Sequence, residues 1–358
     1  MKKGGIILFN KIFFVAILAG LPLSVIGSML HWPAVILFVI YCATIIALAA
    51  YMGRATESLA IVAGPRIGGL LNATFGNAVE LIISIFALKA GLISVVLASL
   101  TGSVLGNLLL VGGLSFFVGG LKYKRQKFNV HDARHNAGLL IFAVVVAFVF
   151  PEVFSFKLED QESLTLSIWV SVIMIALYLA ALYFKLVSHR GVYQSEHEEG
   201  HEHETAEWTK GRAMLVLALA TAAVAYVSEK LVHTFEEVGQ TLGWSEVFIG
   251  VIIVAIVGNA AEHASAIIMA YKNKMTVAVE IAVGSTLQIA MFVAPALVLV
   301  SLLFPQPMAL VFSLPELVSM VLAVFLTISL TSDGDTNWFE GLTLLAAYLI
   351  MGVGFYLL

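Results

Sequence analysis

The amino-acid sequence predicts an all-α polytopic membrane protein with about eleven transmembrane helices, organised as one extra N-terminal helix followed by two inverted five-helix repeats. Hydrophobic residues make up 60% of the 358 residues and charged residues only 12%, and the mean hydropathy is +1.00. Soluble domains rarely have this composition. Apolar runs of roughly 18 to 25 residues, long enough to cross a hydrocarbon core about 30 Å thick, recur along the chain. They lie near residues 12–30, 33–53, 66–89, 92–121, 136–151, 165–188, 212–235, 246–271, 276–304, 309–330 and 337–358.

Basic residues in the short loops predict the orientation, because Lys and Arg are enriched in cytoplasmic loops. With the N-terminus inside, the inner loops hold Arg54, Arg66, Lys122, Lys124, Arg125, Lys127, Arg134, Lys185, Arg190, Lys210, Arg212, Lys272 and Lys274. The outer loop at 152–164 is mainly acidic. We therefore expect a multi-pass protein of the plasma (inner) membrane, with the N-terminus cytoplasmic and the C-terminus outside.

A duplicated motif divides the chain into two halves. Gly-Asn-Ala-Val-Glu at 76–80 recurs as Gly-Asn-Ala-Ala-Glu at 258–262, and Gly-Ser at 102–103 recurs at 284–285 with the same offset of 182 residues. Five predicted crossings separate the copies, so the copies point in opposite directions. Inverted repeats with polar groups at mid-membrane are typical of secondary transporters. We expect one transmembrane domain over 1–358, with an extra helix at 1–30, repeats at 33–188 and 212–358, and a linker at 189–211.

The repeated motif places a glutamate, Glu80 or Glu262, well inside a predicted span. An ionised carboxylate there costs several kcal/mol unless it is paired, protonated or bound to a cation. On a helix, Asn77 would share a face with Glu80, and Asn259 with Glu262, because residues three apart are neighbours. The neighbouring spans add further oxygen atoms from Ser103, Asn107, Ser285 and Gln288. Such an all-oxygen set with two negative charges favours calcium, which takes six to eight oxygen ligands.

The same two carboxylates could also carry protons. Empty and close together, they cannot both stay ionised, so the pair would hold at least one proton that calcium displaces. We therefore expect Glu80 and Glu262 to perform the exchange of protons for calcium. His263 follows Glu262 directly, but adjacent helical residues point about 100° apart, so we interpret it as a packing or proton-path residue rather than a ligand.

The motifs at 76–81, 102–107, 258–263 and 284–289 resemble those of the cation/proton exchanger (CAX) branch of the calcium/cation antiporter superfamily, and the resemblance covers essentially the whole chain. It implies an antiporter, not an enzyme, with Glu80 and Glu262 as calcium- and proton-binding carboxylates. Asn77, Asn259, Ser103, Ser285 and Gln288 would be the supporting oxygens, and Asn107 would substitute at the place where the first half has Gly106 instead of Gln288. Sodium/calcium exchangers of this superfamily usually carry a proline before the glutamate. This chain has none there, which favours protons as the counter-ion.

Other functions stay open at this level. A sodium-coupled calcium exchanger and a divalent-cation channel are the alternatives, although channels commonly assemble an axial pore from several subunits. An intramembrane hydrolase would need a nucleophile and base at suitable spacing, which we do not find. The expected partners are calcium ions, protons and the lipid bilayer, with no nucleic acid and no cofactor; a homo-oligomer is left open.

One polar segment, at 195–207, is rich in Glu and His. Its composition predicts a solvated tether between the repeats. The alternative is a weak calcium- or pH-sensing role, with His197, His201 and His203 titrating near neutrality.

Overall fold

The computed structural model describes residues 3–189 and 206–358. Its architecture is almost entirely helical, which confirms the all-α class. In chain order the α-helices are α1 (Lys3–Met29), α2 (Ala34–Ala63), α3 (Pro65–Phe75), α4 (Ala78–Lys89), α5 (Ile93–Leu105), α6 (Gly112–Lys122), α7 (Val130–Leu140), α8 (Phe150–Ser155), α9 (Asp160–Tyr183), α10 (Lys210–Val232), α11 (Phe235–Leu242), α12 (Glu246–Phe248), α13 (Ala255–Tyr271), α14 (Met275–Gln288), α15 (Ala294–Ser301), α16 (Leu314–Thr331) and α17 (Trp338–Leu357).

Several of these helices are joined end to end by π-helical turns. These turns span Gly106–Val111, Ile141–Val149, Phe184–Ser188, Ile249–Val254 and Ile289–Val293. The first and last of them lie at nearly equivalent places in the two halves of the chain, just after the repeated Gly-Ser pairs. Such turns frequently mark functional sites in helices.

Nine helices within the described ranges are long and apolar enough to cross a membrane, and Phe13–Met29 adds a shorter apolar helix. The predicted third span is instead divided into α3 and α4, because Gly76 and Asn77 leave the helical hydrogen-bonding pattern. The number of eleven crossings therefore stays a prediction. The polytopic helical class does not depend on it.

Polar contacts pair segments that the sequence predicts to lie on the same side of the membrane. On the predicted inner side, Arg54 bonds Glu207, Arg125 bonds Asp335, and the two-residue strands β1 (Gln126–Lys127) and β2 (Asp335–Thr336) pair antiparallel. On the predicted outer side, Lys89 Nζ lies 3.3 Å from Glu229 Oε1. The structure is thus compatible with the predicted alternation of the spans.

Small residues let the helices of the two halves approach closely. A Cβ on Gly250 would lie 2.7 Å from the carbonyl oxygen of Val95 and 3.0 Å from the amide nitrogen of Ser99. Backbone contacts this short are typical of membrane helix interfaces built on Gly and Ala. They bring α5 against the segment that leads into α13, and so position the repeated motifs next to each other.

Candidate functional site

The two copies of the repeated motif meet through their glycines and glutamates. A Cβ on Gly76 would lie 2.9 Å from Glu262 Oε1, and a Cβ on Gly258 would lie 3.2 Å from Glu80 Cβ. Each glycine therefore faces the glutamate of the other copy. A side chain at Gly76 would clash and one at Gly258 would be tight, so the two glycines let Glu80 and Glu262 approach the crossing of the two motifs.

Glu80 lies in the first turn of α4 and is completely buried. Its Oε1 accepts a 2.5 Å hydrogen bond from Ser103 Oγ, and its Oε2 accepts a 3.3 Å bond from Asn259 Nδ2. Asn259 Nδ2 also lies 2.9 Å from Ser103 Oγ and 3.0 Å from the carbonyl oxygen of Ala255. One amide from the second copy thus bridges the carboxylate and the hydroxyl of the first.

Glu262 lies in the middle of α13 and is half-buried. Its Oε2 accepts a hydrogen bond from Ser285 Oγ, which is the counterpart of the Ser103 to Glu80 bond. Asn77 Nδ2 donates a 2.6 Å bond to Gln288 Oε1. Both motif asparagines therefore donate to the opposite half of the chain, but only Asn259 reaches a carboxylate.

The prediction that Asn77 and Glu80 share a face of one helix is wrong. Asn77 (φ −102°, ψ 18°) precedes the first residue of α4 and lies at the break after α3. The break occurs where Gly76 is packed between the carbonyl oxygen of Asn72 and the carboxylate of Glu262. Asn259 and Glu262 do lie on one continuous helix, as predicted.

Asn107 is used differently from the prediction. Its Oδ1 lies 3.1 Å from His263 Nε2, so the oxygen expected near the carboxylates is engaged by the histidine ring. A Cβ on Gly106 would lie 3.7 Å from Cε1 of the same ring. His263 thus fills the space beside Gly106, whereas the second half has the side chain of Gln288 at the equivalent position. The expectation that His263 packs beside the site agrees with this geometry.

The chemistry of the free acceptors fits a hard cation. Asn77 Oδ1 and Asn259 Oδ1 are buried without a hydrogen-bond partner, and each glutamate lies against the glycine of the other motif. No group of three or more His, Cys, Asp or Glu side chains gathers within the part of the chain that the structure describes. Neutral and acidic oxygens of this kind suit calcium better than zinc, which prefers nitrogen and sulfur ligands.

The site is closed around Glu80 and more open around Glu262. Glu80, Ser103 and Asn259 are at most 2% exposed, whereas Glu262 and Gln288 are only partly buried. Nothing lies within 4 Å of a Cβ built on Gly284, one turn before Gln288 on α14. The Glu262 side of the crossing is therefore the accessible one in this conformation.

Sequence reasoning did not single out one buried acid. Glu316 lies in the first turn of α16 and is only 4% exposed. Its Oε2 accepts from the backbone nitrogen (2.8 Å) and hydroxyl (2.7 Å) of Ser313, and Thr101 Oγ1 lies 3.4 Å from Oε1. The capping-box pattern of Ser313 and Glu316 was a signal that could have found it.

The other predicted features lie apart from the crossing. Glu280 is exposed on α14, Asp335 lies in β2, and Glu340 lies in the first turn of α17. The predicted sensing residues His197, His201 and His203 lie outside the described residues. Their role stays a prediction.

The fold and the site together define a class of polytopic helical membrane protein in which two acidic motifs cross inside the bundle. The family model described as "Sodium/calcium exchanger protein" matches residues 33–187 and 212–357, and the chain belongs to this family.

Three individual proteins are similar to this chain in sequence or in structure. The chain is 71% identical over 350 residues to the Ca(2+)/H(+) antiporter ChaA of Bacillus subtilis (strain 168), covering 98% of this chain and all of the relative. The solved structure of native YfkE matches with a TM-score of 0.86 and 67% identity, covering 97% of this chain and 100% of that one. The crystal structure of the H+/Ca2+ exchanger CAX, at 15% identity and a TM-score of 0.71 over 97% and 92% of the chains, shares the fold. The resemblance stated from the motifs is confirmed.

Proposed function

We propose that this protein is a secondary antiporter that exports cytosolic calcium in exchange for protons, with Glu80 and Glu262 as the exchanging carboxylates. The observation that carries the proposal is the crossing of the two motifs, where each glycine faces the other copy's glutamate. The relative from Bacillus subtilis, 71% identical over its whole length, bears the name of a Ca(2+)/H(+) antiporter.

Coupling follows from the cost of an empty, doubly charged site. Glu80 is completely buried, and Glu262 brings a second carboxylate to the same crossing. Two carboxylates in such a place are stable when they bind either a divalent cation or protons, and unstable when both are ionised and empty. Calcium and protons therefore compete for the same oxygens. If only the loaded forms can change access from one side to the other, flux of one ion requires flux of the other.

The calcium ligands would come from both halves of the chain. We assign the two carboxylates as the charged ligands and the unpartnered amide oxygens of Asn77 and Asn259 as neutral ones. Ser103 and Ser285 hold the carboxylates when protons replace the metal, since each donates to its glutamate. Gln288 orients Asn77 through their 2.6 Å hydrogen bond. Asn107 is hydrogen-bonded to His263, so we do not assign it as a calcium ligand.

We further propose two inverted repeats at 33–188 and 212–358, with the extra helix at 1–30 and the linker at 189–211. The same-side pairing of the loops supports this topology. The excess of basic residues in the predicted inner loops supports a plasma-membrane protein with a cytoplasmic N-terminus.

Transport into proteoliposomes tests the proposal. Purified protein is reconstituted in vesicles, a pH gradient is imposed while the membrane potential is clamped at zero, and calcium uptake is measured with sodium present and absent. We expect uptake that needs the pH gradient and is indifferent to sodium. Uptake that needs sodium would favour the sodium-coupled alternative, and uptake without any gradient dependence would favour a channel.

Substitutions at the crossing assign the roles of the residues. Glu80→Gln and Glu262→Gln each keep the shape of the side chain and remove its charge, so we expect both to abolish pH-driven uptake. Glu237→Gln, on an exposed residue of α11, removes the same charge and should transport normally. Near-normal uptake by either crossing variant would refute the mechanism.

A further inference from the structure

A group of lysines lies where the predicted inner end of α6 meets the turn between α13 and α14. The ten residues of segments 122–127 and 271–274 include six basic residues and no acidic one. Lys122, Lys124, Lys272 and Lys274 are all exposed. We call these four residues the lysine ledge.

Hydrogen bonds fix the two segments to each other. Lys122 Nζ donates a 3.0 Å bond to the carbonyl oxygen of Tyr271 and lies 3.9 Å from the centre of its ring. Gln126 Nε2 donates to the carbonyl oxygen of Ala270 and to Asn273 Oδ1, both at 2.9 Å. The ledge therefore lies at a joint between the two halves of the chain, where its two segments are hydrogen-bonded to each other.

The ledge lysines form no salt bridge within the part of the chain that the structure describes. Asp335, on the neighbouring segment, bonds Arg125 and lies opposite Lys127 in the short β-ribbon. Arg125 and Lys127 are the two basic residues of the 122–127 segment that are not part of the ledge.

The ledge lies at the depth of the lipid headgroups. Leu121, directly before it, is 65% exposed, and Tyr271 is 44% exposed. Exposed apolar and aromatic side chains at the end of a membrane helix mark the boundary between hydrocarbon and headgroups. Basic pockets between helices at this level attract anionic lipid headgroups.

We propose that the lysine ledge is a binding site for the phosphate headgroup of an anionic phospholipid. The occupant bridges Lys122 and Lys124 at the end of α6 with Lys272 and Lys274 before α14. Because α13 carries Glu262 and α14 carries Ser285, the bound headgroup stabilises the joint in the arrangement described above. The proposal stands on the joint itself and does not depend on which ions are exchanged.

Lipid binding by the purified protein tests this. Phosphatidylglycerol is titrated into detergent micelles that contain the full chain, and retained lipid is measured by native mass spectrometry, with phosphatidylcholine as the neutral comparator. The expected result is preferential retention of phosphatidylglycerol that weakens at high salt, because exposed charges are screened. Competition by millimolar inorganic phosphate alone would identify a free-phosphate site and overturn the assignment to a lipid.

A charge-matched pair of variants locates the site. Lys272→Gln/Lys274→Gln should weaken phosphatidylglycerol binding about 25-fold, at roughly fivefold per lysine near an anionic surface. Lys185→Gln/Lys210→Gln removes the same charge from exposed residues of the predicted inner side that lie outside the joint, so it should change binding less than about twofold, well short of the roughly fivefold per lysine expected at the ledge. Equal weakening in both variants, or none in the first, would overturn the proposal. If the double variant unfolds, Lys124→Gln provides the test, with about a fivefold loss expected.

Discussion

The contact between Gly76 and Glu262 makes a quantitative prediction about the crossing. In a Gly76→Ala variant the new methyl group would lie 2.7 Å from the carbonyl oxygen of Asn72 and 2.9 Å from Glu262 Oε1. Both distances are shorter than real Cβ contacts, so the backbone or the carboxylate must move. Overpacking of this kind typically costs about 1 to 3 kcal/mol. If this free energy is lost from calcium binding at the Glu262 carboxylate, the affinity for calcium drops about 5- to 150-fold.

Alanine substitutions at two other glycines provide comparisons for the expected loss of calcium affinity. Gly258→Ala would place its methyl group 3.2 Å from Glu80 Cβ, a contact that a shift of a few tenths of an ångström relieves. Gly284→Ala meets nothing within 4 Å and lies on α14 near Gln288, so it is the matched control. The expected order of loss is Gly76→Ala, then Gly258→Ala, with Gly284→Ala close to the unchanged protein.

Calcium binding by isothermal titration, together with the half-saturating calcium concentration for uptake in proteoliposomes, measures the order. Thermal unfolding of each purified variant separates loss of affinity from loss of folding. A Gly76→Ala protein that binds and transports calcium as well as Gly284→Ala would show that the close approach of Gly76 to Glu262 has no role in the site.

Three further predictions concern neighbouring contacts. Asn259→Ala should impair pH-driven calcium uptake more than Asn77→Ala, because only Asn259 donates to a glutamate; equal uptake by the two variants would contradict this. The Arg125 guanidinium holds the pKa of Asp335 below its usual range, so the stabilising effect of the pair is complete above the ordinary carboxyl pKa and is lost as the pH falls through the lowered value. Melting curves of Asp335→Asn should therefore lie below those of the unchanged protein by a constant margin from pH 8 to pH 5, and the margin should shrink only below about pH 4; a margin that already disappears at pH 6 would refute the assignment. Ser313→Ala removes the cap of α16 and should cost about 1 kcal/mol of stability while uptake persists, and an unchanged unfolding midpoint would argue against the capping role.

The sequence was sufficient to predict the class and the chemistry of the crossing. Length and hydropathy predict helical spans because a bilayer allows few other structures, and the 182-residue offset identifies the residues that meet. The geometry of Asn77 could not be predicted in this way. Spacing of three residues implies a shared face only on an unbroken helix, and the helix is interrupted between α3 and α4.

Hydrogen bonds between the two halves of the chain could not be predicted from the spacing of residues in the sequence. A motif shows which residues are neighbours along one helix, but Asn259 bonds Glu80 and Ser103 across 179 and 156 positions. Asn107 was matched to Gln288 as a source of amide oxygen, yet its oxygen is engaged by His263. Hydrogen bonding between helices depends on how the helix bundle packs, and the duplicated motifs do not predict that packing.

The unequal environments of the two glutamates follow from one difference between the repeats. Where the second half has Gln288, the first has Gly106, and the ring of His263 lies beside that glycine. Asn77 Nδ2 donates to Gln288 Oε1 and makes no hydrogen bond to Glu262. No side chain at 106 competes for Asn259, so its amide donates to Glu80 and Ser103. Glu80 is therefore buried with two donors while Glu262 has one and is partly exposed, so the first ion to leave or enter in this conformation should exchange at Glu262.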